Sequence, residues 1–190
     1  MSRILSLSLV MLLLVGCQST ELQTQYYQLA DAPKAMSVSR NAARLIIEPV
    51  ILVDFLKRPN ILLKQPDNTL YVTNYQVWAE PLDKAIARAM VNHINQDSPE
   101  LRAEQQLLSR CEGDTCFRLQ VFVEGFYPLQ TSQVEFSGKY TLYRGTSIHD
   151  QQDFNLINDL EFDGYPHAVM KLQDLIYQLS SQIKQKITTK

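Results

Sequence analysis

Phe117-Arg-Leu-Gln-Val-Phe-Val-Glu-Gly125 decides the architecture. Phe117, Leu119, Val121, Val123 and Gly125 alternate with Arg118, Gln120, Phe122 and Glu124. A period of two belongs to a strand with one buried face. The pattern returns at Val134, Phe136, Gly138, Tyr140 and Leu142, alternating with Glu135, Ser137, Lys139 and Thr141. It returns again at Phe154, Leu156, Asn158, Leu160 and Phe162. The connections are too short to hold a helix, so the three strands are expected to pair antiparallel. One face is apolar and the other largely polar, as when helices cover a single side.

Two segments supply those helices. Behind Pro81, residues Leu82, Ile86, Ala89, Met90 and then His93 or Ile94 recur at helical spacing, ending before Asp97-Ser98-Pro99. Asp163-Gly164-Tyr165-Pro166 opens the second, with Asp163 or Tyr165 as its cap. Its stripe is Val169, Leu172, Leu175 or Ile176, Leu179, Ile183 and Ile187, and Lys184, Lys186 and Lys190 suit its C-terminal dipole. Upstream, Tyr26 to Leu29 and Arg44 to Val50 read as strands, and 31–42 as a loop. Ile61-Leu62-Leu63 and Leu70-Tyr71-Val72 flank the turn signal Pro66-Asp67-Asn68, a hairpin whose second arm continues to Trp78. Residues 99–110 read as a short helix. The fold class is α+β: a mainly antiparallel sheet with two principal helices on one face.

Ile51-Leu52-Val53-Asp54-Phe55-Leu56 is unusually apolar for a connection. It either tucks into the core or forms an exposed ledge for a partner or a lipid. Trp78 has the same two readings, core aromatic or interface anchor. Tyr140 and Tyr143 fall on opposite faces of their strand.

The N-terminus fixes the compartment. Arg3 precedes an apolar run from Ile4 to Leu14, then Val15-Gly16-Cys17. A positive flank, a short apolar run and small residues describe a secretory signal, and 13 residues between Arg3 and Cys17 are too few to span a bilayer. Leu14-Val15-Gly16-Cys17 resembles the lipobox of bacterial lipoproteins, in which the cysteine thiol is acylated and becomes the first mature residue. That gives a cleaved signal over 1–16, a lipidated tether over 17–24 and one domain over 25–190. Several acyl chains at Cys17 hold a protein on a membrane where one chain binds only marginally. The resemblance extends to the sorting rule of enterobacterial-type lipoproteins, in which Asp after the cysteine favours inner-membrane retention; Gln18 there implies the outer membrane, facing the periplasm. Without residues 1–16 the chain keeps 17 Lys and Arg against 20 Asp and Glu, so no basic excess exists to neutralise nucleic-acid phosphates. Export favours a disulfide between Cys111 and Cys116 across a short loop, worth about 2 kcal/mol. Free thiols or half of a metal site are the rival readings.

Several stretches are familiar in this order: Tyr26-Tyr27-Gln28-Leu29 soon after the lipobox, Val50 to Leu56, Trp78-Ala79-Glu80-Pro81-Leu82-Asp83, and Asp163-Gly164-Tyr165. Together they resemble the ABC-type transport auxiliary lipoprotein family over nearly the whole chain. Cys111 and Cys116 are not part of the resemblance. The resemblance implies an accessory of MCE-type assemblies, which carry lipids between inner and outer membranes and support envelope integrity. The expected partner is an MCE-domain protein, with a ring of copies as a further expectation and no cofactor. The candidate contacts are Ile51, Leu52, Val53, Phe55, Leu56 and Trp78. The alternatives are a phospholipid-binding carrier with its own pocket and, from another class, an envelope hydrolase.

Catalytic signatures are missing from the sequence. It holds no P-loop, no Gly-x-Ser-x-Gly elbow and no His-Glu-x-x-His helix. His93 reads as a half-buried structural residue, His149 as a solvated one in a polar loop from Arg144 to Gln152, and His167 as part of the last helix's first turn. Asp150 and Asp153 read as residues of that solvated loop rather than metal ligands. The expectation is a protein that is not an enzyme.

Overall fold

The computed structural model describes residues 23–29, 39, 42–96, 98–106, 111, 113 and 115–188. Residues 1–16, read as a signal, Cys17 and most of the stretch read as a tether lie outside the described residues, as does most of the loop read at 31–42. In chain order the elements are β1 (Gln25–Tyr27), β2 (Ala43–Ile47), β3 (Ile51–Leu52), a 3-10 turn (Asp54–Lys57), β4 (Asn60–Lys64) and β5 (Leu70–Trp78). Helix α1 (Leu82–Asn95), β6 (Leu101–Gln105), β7 (Cys116–Leu129), β8 (Gln133–Arg144), β9 (Ser147–Asp159) and helix α2 (Tyr165–Thr188) follow.

The spine is β7, the longest strand. β8 lies antiparallel along one of its edges, from Phe117 beside Arg144 to Leu129 beside Gln133, and β9 lies antiparallel outside β8. Along its other edge β7 takes short parallel strands in turn. β2 pairs at Cys116–Leu119, β3 at Phe122–Val123, and Lys64 of β4 at Leu129. β6 continues the sheet beyond β2, and β5 then β1 continue it beyond β4. The long ladders are thus antiparallel, and the α+β reading holds. The parallel short strands were not expected.

In β7 and β8 the alternation read in the sequence is the alternation of burial, whereas the third strand, read as running to Phe162, ends at Asp159 and leaves Phe162 63% exposed. Leu119, Val121, Val123, Val134, Phe136, Tyr140 and Leu142 are buried on the helix-covered face. The register shifts between Val123 and Gly125, where Glu124 is the extra residue. Gly138 stands opposite that bulge, and a Cβ there would come within 2.1 Å of the Phe122 carbonyl oxygen. The core is an aromatic chain. Phe136 meets Phe126 and Phe154 edge-on at 5.3 and 4.9 Å, and Trp78 leans on Phe126 at 5.8 Å.

Four local expectations change. The short helix read at 99–110 is instead β6: Leu101 and Ala103 are buried, Arg102 is exposed, and β2 pairs with the strand throughout. The polar loop Arg144–Gln152 shrinks to the turn at 145–146, because β8 pairs with Ser147, Ile148 and Asp150 to Asp153, across a register shift at His149, although few of their side chains are apolar. Asp150 and Asp153 therefore sit on a strand. Neither Asp163 nor Tyr165 caps α2. The Gly164 carbonyl takes the first helical bond, from the Ala168 N–H at 3.0 Å, at a φ of 119° that favours glycine. The strand read from Arg44 to Val50 ends at Ile47, just ahead of Pro49, which has no N–H for a ladder.

Candidate functional site

The ledge read in the sequence divides by face. β3 turns Leu52 into the core and leaves Ile51 45% exposed. The 3-10 turn repeats the division, burying Leu56 and leaving Phe55 36% exposed. Val53 is half-buried, and Trp78 is in the core. The exposed part is therefore Ile51 and Phe55. A shallow cleft runs from Val50, Ile51 and Leu52 to Pro81, Leu82 and Asp83 at the start of α1, with Lys57 at its rim. Lys57 Nζ lies 2.6 Å from Asp54, and this partner lowers the carboxyl's pKa.

A second apolar surface was not read in the sequence. The hairpin turn after β4, the β7–β8 turn, the end of β9 and the start of α2 meet at one pole of the sheet. Gln130 N–H donates to the Lys64 carbonyl and Leu160 N–H to that of Ser132, both at 2.9 Å. Between them lies a solvent-open cleft of about 200 Å³, lined chiefly by Leu63, Pro128, Leu129, Leu160, Tyr165 and Ala168. Burial raises the pKa of Tyr165, and the Tyr71 and Tyr27 hydroxyls add to the shift. Phe162 stands beside the cleft, 63% exposed and stacked on His167 at 3.8 Å. These residues come from four separated segments, which no local spacing joins. The only sequence signals were Tyr71 and Phe162, large aromatics at positions that the fold leaves open.

The cysteines resolve as a disulfide between Cys111 and Cys116, with Cα atoms 5.5 Å apart. It closes the chain onto the first residue of β7, away from both apolar surfaces.

The histidines do structural work. His93 Nε2 lies 2.9 Å from Ser181 Oγ, and the ring stacks on Tyr177 at 4.4 Å, joining α1 to α2. A serine and a histidine at that distance invite a nucleophile reading. His93 Nδ1, however, is buried with no hydrogen-bond partner among the described residues, so no carboxylate orients the ring as a catalytic base requires. Burial, then Lys184, lowers its pKa. His149 is exposed, with Nε2 3.2 Å from the Lys186 carbonyl. His167 is buried and meets Glu161 at 2.7 Å. Lys171 chiefly, with the backbone and His167, holds the Glu161 carboxyl at about 2. Asp150 accepts from the Tyr140 hydroxyl at 2.8 Å and pairs with Lys186 at 3.5 Å. Tyr140 is buried, whereas Tyr143 lies half-buried on the other face under the Arg118 guanidinium at 4.9 Å. Among the described residues no three His, Cys, Asp or Glu side chains gather as metal ligands, and no helix is long and apolar enough to cross a membrane.

Two apolar surfaces are thus left open to solvent, at the ledge and at the Tyr165 pole. The sequence is 28% identical over 177 residues to the intermembrane transport lipoprotein PqiC of Escherichia coli K12, covering 92% of this chain and 91% of the relative. The PqiC of Shigella flexneri matches equally. A crystal structure described as an uncharacterized protein superposes with a TM-score of 0.76 at 25% identity, over 87% of this chain and 99% of the other. Protein XCC0632 of Xanthomonas campestris shares the fold with a TM-score of 0.63 at 12% identity, over 85% of this chain and 93% of the other. Residues 27–184 match the family described as the ABC-type transport auxiliary lipoprotein component, and the chain belongs to that family.

Proposed function

We propose that this protein is a lipid-anchored, non-catalytic accessory of an intermembrane lipid-transport system, docking an MCE-domain protein at the periplasmic side of the outer membrane. The observation that carries the reading is the family match from 27 to 184 directly behind a Leu-Val-Gly-Cys17 acylation motif. The motif supplies the anchor, and the relatives named as intermembrane transport lipoproteins supply the process. In a Pqi-like system the partner is a PqiB-like MCE protein, and the service is envelope integrity. Ile51 and Phe55 are the docking contacts, because they are the part of the ledge left open. Leu52 and Leu56 anchor that ledge in the core, Val53 lies between the two sets, and Trp78 is a core aromatic against Phe126.

A ring of copies around the conduit belongs to the same proposal. β9 is hydrogen-bonded only through β8 among the described residues, which leaves a long strand edge for a neighbour.

The test has two parts. Metabolic labelling with palmitate is expected to mark the wild type and not Cys17→Ser. Affinity purification of the tagged full-length protein from solubilised envelopes is expected to recover an MCE-domain protein, identified by mass spectrometry. Recovery without such a protein overturns the docking role, and an unlabelled wild type overturns the anchor.

A further inference from the structure

The pole that carries the Tyr165 cleft has a direction relative to the anchor. β1 runs parallel to β5, with Gln25 beside Gln76 and Tyr27 beside Trp78. The chain therefore enters β1 from the side of the first residues of β5. Those residues belong to this pole: Tyr71 of β5 pairs with Leu63 of β4, and Leu63 lines the cleft. Only seven residues lie between Cys17 and Gln25, and the eight steps reach at most ~28 Å. The opposite pole, with the turn at 145–146 and the C-terminal end of α2, lies about 36 Å further along β8. A body tied this closely to a membrane presents one end to it.

The surface of that end has interfacial chemistry. Tyr71 is 48% exposed beside the cleft, and Tyr165 lines it. Phe162 and Met170 extend the apolar surface on the far side of α2's first turns. Tyrosines, with an apolar ring and a polar tip, collect at the headgroup level of bilayers. The charges argue for contact with lipid as such rather than attraction to anionic headgroups. Among the described residues this end carries the carboxylates Asp67, Asp159, Glu161 and Asp163, while its lysines Lys64 and Lys171 are ion-paired with Glu135 and Glu161. A polybasic membrane site has the reverse balance.

We infer that this pole rests on the bilayer, with Tyr71 and Phe162 at the interface and the Leu63–Tyr165 cleft open to the lipid surface. The inference rests on lipidation at Cys17. It separates the molecule's surfaces, leaving Ile51 and Phe55 for the protein partner.

The test uses the chain's single tryptophan as an internal control, since Trp78 is buried. Full-length lipidated Tyr71→Trp, Phe162→Trp and Ile148→Trp variants are reconstituted into vesicles of phosphatidylethanolamine and phosphatidylcholine with brominated acyl chains. Ile148 is 59% exposed at the far pole. Unchanged emission from Trp78 in the wild type, with and without bromine, shows that the core stays out of lipid. The indoles at 71 and 162 are expected to lose on the order of half their emission and the one at 148 none. Raised salt is expected to leave this unchanged. Protein that floats with the vesicles while 71 and 162 stay bright, or while 148 dims equally, overturns the inference and leaves the anchor standing. Protein that does not float overturns the anchor itself.

Discussion

Asn95, the last residue of α1, holds Ala103 of β6 by both ends of its amide. Its Nδ2 donates to the Ala103 carbonyl at 2.9 Å, and its Oδ1 accepts from the Ala103 N–H at 2.8 Å. The side chain does there what a further strand would do, and so closes the outer edge of β6. Asn95→Ala leaves both backbone groups unpaired, and Asn95→Asp loses the donor. Each is expected to lower the unfolding free energy by about 1–3 kcal/mol, read from urea midpoints. The alanine variant is also expected to self-associate more at high concentration than the wild type.

Gly138 and Gly145 make a controlled pair. A Cβ at Gly138 meets the Phe122 carbonyl oxygen at 2.1 Å, whereas one at Gly145 meets nothing within 4 Å. Gly138→Ala must push the β7 bulge apart and is expected to cost about 3 kcal/mol, at the upper end of overpacking effects. Gly145→Ala pays only for a backbone at φ 58° and is expected to cost about 1 kcal/mol. Equal losses in thermal or urea unfolding would contradict the close approach at the bulge.

The disulfide fixes the segment leading into β7. Cys111→Ser opens a loop of four intervening residues and is expected to cost about 2 kcal/mol, with the same loss in wild-type protein under reductant. Because both apolar surfaces lie elsewhere, neither palmitate labelling nor recovery of the partner is expected to change.

The pairing of α1 with α2 is sensitive to acid. His93 has a folded pKa below its usual value, through burial first and Lys184 second. The unfolded chain therefore binds the proton more readily than the folded one. Stability is full above the unfolded value near 6.5 and declines as pH falls from there toward the folded pKa. His93→Gln, which keeps a donor for Ser181, is expected to flatten that part of the stability curve. The carboxylates lowered by their partners, Glu161 among them, act only at lower pH.

How far the sequence could be read follows from where the information lies. The strands β7 and β8 and both helices carry their own periodicity, and Leu82 to Ile94 and Val169 to Ile183 show it without help. β6 has two inward residues in five, and Asn95 with β2 does the rest, so its alternation was too short to see. The first half of β9 is polar and is a strand because β8 is beside it. Parallel pairing of β2, β3 and β4 with one edge of β7 is a property of the folded sheet alone. The ledge was legible as apolar, but its division into buried Leu52 and Leu56 and open Ile51 and Phe55 needed the turn geometry. The cleft by Tyr165 joins residues about 100 positions apart along the chain and had no sequence signature.

The most direct measurement is site-specific photocrosslinking in living cells, with a photoreactive phenylalanine analogue at position 55 and, separately, at position 162. An adduct between position 55 and an MCE-domain protein, with none to it from position 162, is the expected result. No protein adduct at 55, or an MCE adduct only at 162, would contradict docking through the Ile51–Phe55 ledge.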